Sequence, residues 1–342
     1  MNADNMGYYH LILLLLALAI ALTAFSPKLL LPYPILLMVA GILLGFIPDL
    51  IYIPIDPEIV FFIFLPPLLY DASTNISFPD FKSNIKTISM LAVTMVFITI
   101  IAIEVVARYV IPGISWPVAF VIGAILSPPD AVAAAAIIKN INLPHRTKTI
   151  LEGESLINDA SALTAYRIAL AVVAGGAFVL WKATIDFIII FCGGAVIGLL
   201  LAYVFVWLLE KIKFTSTATV SLNILMPFLA YQVAESLEFS GVLAVVTAGL
   251  VIARKIHNGK LFSGVTIIQS KSGWSVIIYV MNGLIFILIG LEFPQALEEI
   301  PDHSFWPLII SSFAIFFIAL WTRILIIFER KFRIDKTRRR GG

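Results

Sequence analysis

Charge and cysteine are both scarce in this chain. Only 13% of its 342 residues are Asp, Glu, Lys or Arg, against 61% hydrophobic ones. A soluble domain would carry about 25% charge and about 45–50% apolar residues. The bilayer, not a water-excluding core, therefore organises this protein: the composition is that of a multi-pass membrane chain. The single cysteine, Cys192, excludes an internal disulfide and any cysteine-based metal cluster. The four histidines, His10, His145, His257 and His303, fall in loops or at span ends and suggest no His–metal site. No Ser/His or paired-Asp arrangement points to hydrolysis, so the chain reads as a non-enzyme with no cofactor. There is no soluble domain, no low-complexity segment and no expected nucleic-acid partner. The start, MNADNMGYYH, lacks a basic n-region and a clear cleavage site, so residues 8–25 read as a retained first span.

What is abundant is long apolar runs. They predict an all-α polytopic membrane protein of about eleven transmembrane helices, each needing roughly 17–25 residues. Their centres lie near residues 17, 38, 65, 98, 127, 162, 195, 226, 246, 283 and 317, the third (58–71) and ninth (239–253) being short. Ten-residue alternation, the mark of a barrel, is missing. With the N-terminus outside, nineteen of the 23 basic residues fall in cytoplasmic segments, seven of them in the tail from Arg330 to Arg340. The outer loops keep only Arg108 and Lys182, and are otherwise acidic. This partition is the positive-inside pattern, and it predicts an outside N-terminus and a cytoplasmic C-terminus for one domain over residues 1–342. The basic tail reads as an anchor near anionic lipid.

Two stretches interrupt the apolar pattern. The first is ILEGESLINDASALTAYRIAL, residues 150–170, long enough to cross a bilayer yet carrying Glu154, Ser155, Asn158, Asp159 and Arg167. A carboxylate at membrane depth is costly, and its default reading is an ion or proton site. Ser155 and Asp159 are four apart, as are Glu154 and Asn158, so all four share one broad helix face. These oxygens suit a hard monovalent cation or a proton. Arg167 lies nearer the outer end, where its side chain can snorkel to the interface. The second stretch is Ser127-Pro128-Pro129-Asp130 in the fifth span. Two prolines remove two amide donors and disfavour helix at the residue before them. The span should unwind there, leaving free carbonyls and two half-helix ends, as in the substrate sites of secondary transporters. Asp130 would open the second half-helix; the plainer alternative is a kinked helix with Asp130 as N-cap. Arg323 in LWTRILII needs a partner at membrane depth, and Glu154 is the candidate for an ion pair. Asp71 reads as a boundary residue facing the cytoplasm.

Four segments together resemble the monovalent cation/proton antiporter family of bacterial and animal sodium/proton exchangers. They are FLPPLLYDA (64–72), SPPDAVAAAAI, GESLINDASAL and MNGLIFILIGLEF (281–293), in the family's order. The resemblance implies an inverted-repeat antiporter fold with an interrupted helix at Pro128-Pro129. It implies that Asp159 binds Na⁺ and H⁺ alternately, with Asn158 beside it and Asp130, Ser127, Pro128 and Ser155 lining the site. It also implies Glu154 and Arg323 as a structural ion pair, and a homodimer in the plasma membrane. The family's late Gly-Gly-x-Arg-Gly span has no counterpart here, so the last helices of the second repeat are expected to be missing. The function implied is exchange of Na⁺, or Li⁺ or K⁺, for H⁺, electroneutral because the site holds one Asp. Alternatives are a K⁺/H⁺ antiporter, a channel without proton coupling, or a truncated, non-transporting fragment or assembly subunit.

Overall fold

A computed structural model describes residues 13–22, 33–47, 57–129, 144–176, 178–257, 259, 262–298, 300 and 305–340. Among these residues there are eleven helices and no strand. They are α1 (Leu13–Leu22), α2 (Tyr33–Gly45), α3 (Pro57–Asn75), α4 (Phe78–Val110) and α5 (Trp116–Leu126). Then follow α6 (His145–Val173), α7 (Leu180–Lys211), α8 (Ser216–Ser236), α9 (Gly241–His257), α10 (Gly264–Glu298) and α11 (Phe305–Arg340). Ten of the eleven expected span centres fall on these helices, and the eleventh, 127, lies just past the end of α5. Six are long and apolar enough to cross a membrane: α4, α6, α7, α8, α10 and, over Trp306–Ile326, α11.

Five helices overrun the 17–25 residues anticipated: α4 has 33, α6 has 29, α7 has 32, α10 has 35 and α11 has 36. At about 1.5 Å per residue, each exceeds the roughly 30 Å hydrocarbon layer. As a result, basic residues expected in loops sit on helices instead. Lys82 and Lys86 are exposed on the first turns of α4, and Lys271 is exposed on α10. The helix continues because nothing in FPDFKSNIKTI breaks it once Pro79 is placed in the first turn, where a missing amide costs nothing.

The helices form two compact units. The first contains α1, α2, α3, α8, α9, α10 and the part of α7 from Gly194 onward. Here α10 packs against α2, α3 and α8, while α9 packs against α3 and α8. Leu15, Ala19, Leu37 and Ile287 make one apolar core between α1, α2 and α10. A polar knot ties three helices: the Tyr70 hydroxyl on α3 donates to Asn223 Oδ1 on α8, and Asn223 Nδ2 donates to Ser270 Oγ on α10 at 3.0 Å. Bonds of this kind substitute for the hydrophobic drive that is absent between helices in lipid.

The second unit contains α4 from Pro79, α5, α6 from Thr149, α7 up to Gly193, and α11. Val96 and Ile100 of α4, Ala124 of α5, and Ala162 and Ala165 of α6 share one core. Ile103 and Ala107 of α4, Ala119 of α5 and Ile315 of α11 share a second. These contacts fix direction. Early α5 (Ala119) meets late α4, and late α5 (Ala124) meets earlier α4, so the two run antiparallel. Gly153 on α6 faces Phe81 and Ile88 of α4, and Ala162 faces Val96 and Ile100, so α4 and α6 run parallel. A Cβ at Gly153 would meet the Ile88 side chain at 2.8 Å, so the absent side chain is what lets α6 lie this close to α4.

Candidate functional site

The site forms where α5 stops beside the middle of α6. Helix α5 ends at Leu126, at the double proline. Pro128 has no amide hydrogen to give the Ala124 carbonyl, and the Ser127 hydroxyl donates to that carbonyl instead, at 3.2 Å. Ser127 keeps right-handed helical angles, φ −73° and ψ −37°, although it precedes proline. Of the two causes anticipated, the lost donors therefore apply at Pro128, and a non-helical residue before it does not. Ser127 is fully buried and Pro128 half-buried. Asp130 and the expected second half-helix lie outside the described residues, as do the side chains of the basic tail.

Helix α6 is continuous, and Asp159 stands at its centre, equally distant from His145 and Val173. Glu154, Ser155 and Asp159 are half-buried, and Asn158 is 2% exposed. Neighbouring hydroxyls on α6 are satisfied locally: Ser161 donates to the Ile157 carbonyl at 2.9 Å and Thr164 to the Ala160 carbonyl at 2.7 Å. Two others are not. Ser155 Oγ and Asn158 Oδ1 are buried with no hydrogen-bond partner among the described residues. A buried polar atom left unsatisfied costs about 1–3 kcal/mol, so these two oxygens stand out on α6. Because α5 runs antiparallel to α6 and Ala124 packs on Ala162, continuing α5 past Ala124 leads toward the level of Asn158 and Asp159.

Arg323 of α11 closes the broken end. Its guanidinium donates to the Ser127 carbonyl, and the Glu154 carboxylate acts on it electrostatically. Carbonyls at a helix C-terminus have no helical donors and carry partial negative charge, so a cation is favoured there. Three predicted residues, Ser127, Glu154 and Arg323, are thus brought together. Ser155, Asn158 and Asp159 share the face of α6 that their spacing requires. The Ser127 carbonyl as a partner of Arg323 was missed by sequence reasoning, since the two residues are 196 apart in the chain. Its only signal was the proline that ends α5. The Thr99 hydroxyl on α4, 1% exposed and without a partner among the described residues, also had no sequence signal. Arg167 is half-buried on α6, and Asp71 lies one turn before the end of α3. There the Asp71 carbonyl accepts from the Thr74 hydroxyl and Asn75 Nδ2.

A family model described as sodium/hydrogen exchanger, transmembrane, matches residues 13–339. The chain belongs to the sodium/hydrogen exchanger family. This is a transporter family, as the four motifs implied. A sodium, potassium, lithium and rubidium/proton antiporter of Bacillus pumilus is 33% identical over 281 residues, covering 80% of this chain and 42% of that protein. A sodium/proton antiporter of Aphanothece halophytica is 31% identical over 265 residues, covering 76% of this chain and 49% of the relative. This chain therefore spans about half the length of the curated relatives it matches. Among solved structures, the sodium proton antiporter of Methanocaldococcus jannaschii at pH 8 superposes with a TM-score of 0.74. It is 22% identical, and the match covers 93% of this chain and 79% of that one. The antiporter fold is shared.

Proposed function

We propose that this chain is a secondary transporter exchanging Na⁺, or Li⁺ or K⁺, for H⁺, one for one, with Asp159 as the shared site. The observation that carries the reading is the pair of unpartnered buried oxygens, Ser155 Oγ and Asn158 Oδ1, on the same face as a carboxylate at the centre of a membrane helix. Ionised Asp159 with these two oxygens offers a cation a partial replacement for its hydration shell. Backbone at Ser127 and Pro128, and Asp130, would complete it. Protonated Asp159 is neutral and loses the cation. The empty, charged carboxylate is the costly form to carry through the bilayer, which couples the two fluxes. One carboxylate exchanging one positive charge for another makes the cycle electroneutral; Asn158 contributes an oxygen but no second proton. Arg323, held between Glu154 and the Ser127 carbonyl, keeps the broken end of α5 in register with α6. Alternating access, a homodimer and a plasma-membrane location complete the proposal.

The range of cations stays broad in this reading. The Bacillus pumilus relative is named an antiporter of sodium, potassium, lithium and rubidium, which supports K⁺ as a second substrate. The deciding experiment is proton flux in proteoliposomes, driven in turn by Na⁺, Li⁺ and K⁺. The wild-type chain is expected to exchange protons without a voltage dependence. Asp159→Asn is expected to lose at least a hundredfold in rate, and cation-driven proton movement persisting in that variant would remove Asp159 from its role. No flux from a folded wild-type chain would favour the non-transporting alternative.

A further inference from the structure

A second polar feature lies in the other unit, between α7 and α9. The two helices first touch closely. A Cβ on Gly194 would run into the Ser240 carbonyl, and one on Gly198 into the Ala244 carbonyl. Two glycines four apart thus let the backbones meet. Beside this contact, Leu199 and Tyr203 of α7 stand over α9 with an opening between them. The opening is a cleft of about 160 Å³ lined by Leu199 and Tyr203 of α7, Thr247, Leu250, Val251, Arg254 and Lys255 of α9, and Phe78. That is room for roughly five waters, enough for a phosphate and its glycerol but not for an acyl chain. Glu210 and Lys255, 3.7 Å apart, bridge the helices again at its far end.

The lining is two-natured. Leu250 and Val251 are buried and form an apolar floor, and Leu199 is exposed beside it. Two cations, Arg254 and Lys255, line the rim, and the Glu210 carboxylate reaches one of them. Lys255 is shared with Glu210, while the exposed Arg254 lies over the Phe78 ring at 5.2 Å. The ring face attracts the guanidinium and takes none of its N–H groups, which are left to bind an anion. The Tyr203 and Thr247 hydroxyls are further donors. Both helices end here in basic last turns, Lys211 on α7 and Arg254, Lys255 and His257 on α9. By the charge partition of the loops, that end is cytoplasmic. An apolar cleft with fixed positive charge at the headgroup level is a site for an anionic lipid.

We propose that this cleft binds the phosphate of an anionic phospholipid, whose acyl chains run along the exposed apolar face of α7. The inference is independent of the exchange chemistry at Asp159. It is tested on the full chain, purified and stripped of lipid, by thermal melting and native mass spectrometry with phosphatidylglycerol, phosphatidylcholine or soluble glycerol phosphate. Phosphatidylglycerol is expected to bind and raise the melting temperature; the other two are not. Arg254→Gln and Lys255→Gln should each weaken retention roughly fivefold, the worth of one interfacial charge. Leu199→Trp, which fills the cleft and keeps both charges, should abolish it. Lys182→Gln, at the opposite end of α7, should bind as wild type. Equal stabilisation by phosphatidylcholine, displacement by glycerol phosphate, or unchanged retention in Arg254→Gln would each overturn the assignment. Arg254 is exposed, so its variant tests the site even if Leu199→Trp fails to fold.

Discussion

Helices α6 and α9 are both deeply buried, and they use burial for opposite ends. On α9, twelve of 17 residues are buried, and every one is Gly, Ala, Val, Leu or Ile. Its polar residue in the middle, Thr247, faces the cleft. On α6 the buried set includes Thr149, Asn158, Ser161 and Thr164, with Asp159 half-buried at the centre. A bilayer supplies no hydrophobic drive between helices, so α9 is held by close packing of small and branched side chains. For α6 the same shelter from lipid and water raises the stakes of each polar atom. Ser161 and Thr164 settle theirs against the preceding turn, whereas Ser155 and Asn158 do not.

This contrast can be broken at several points. The largest structural effect is expected from Arg323→Gln, which takes the Glu154 counter-charge and the Ser127 carbonyl's donor away together. Breaking such a pair costs about 3 kcal/mol, read as a drop in melting temperature. Adding Glu154→Gln to that variant should recover part of the loss, and no recovery would mean that the two charges are not coupled. Next is Gly198→Leu on the α9 side. Its side chain would overlap the Ala244 backbone, so about 1–3 kcal/mol of stability should go while exchange per folded molecule is retained. Smaller again is Ser155→Ala. It should raise the half-saturating Na⁺ concentration several-fold with an unchanged melting temperature, since its oxygen bonds no group among the described residues. Ser161→Ala is the matched control. Its hydroxyl returns to the Ile157 carbonyl, and removing it should shift stability by under about 1 kcal/mol and leave exchange alone. Equal behaviour of Ser155→Ala and Ser161→Ala in flux would erase the distinction drawn above.

Much of this was written locally. The scarcity of charge dictates a membrane chain, and the long apolar runs place all eleven described helices. The double proline stops α5 because two amide donors are missing from the polymer itself. Four-residue spacing puts Ser155 on the face of Asp159 wherever α6 is set down. These features depend on covalent geometry and helical period, which every short window of sequence carries. Tertiary structure decided the rest. It gave Arg323 the Ser127 carbonyl as well as Glu154, left Ser155 Oγ and Asn158 Oδ1 without partners among the described residues while satisfying Ser161, and opened a cleft between α7 and α9. It also placed Lys82, Lys86 and Lys271 on helices that outrun the bilayer. Each of these depends on which groups distant in the chain arrive at the same point. Helical periodicity encodes a face, not the neighbour it will meet.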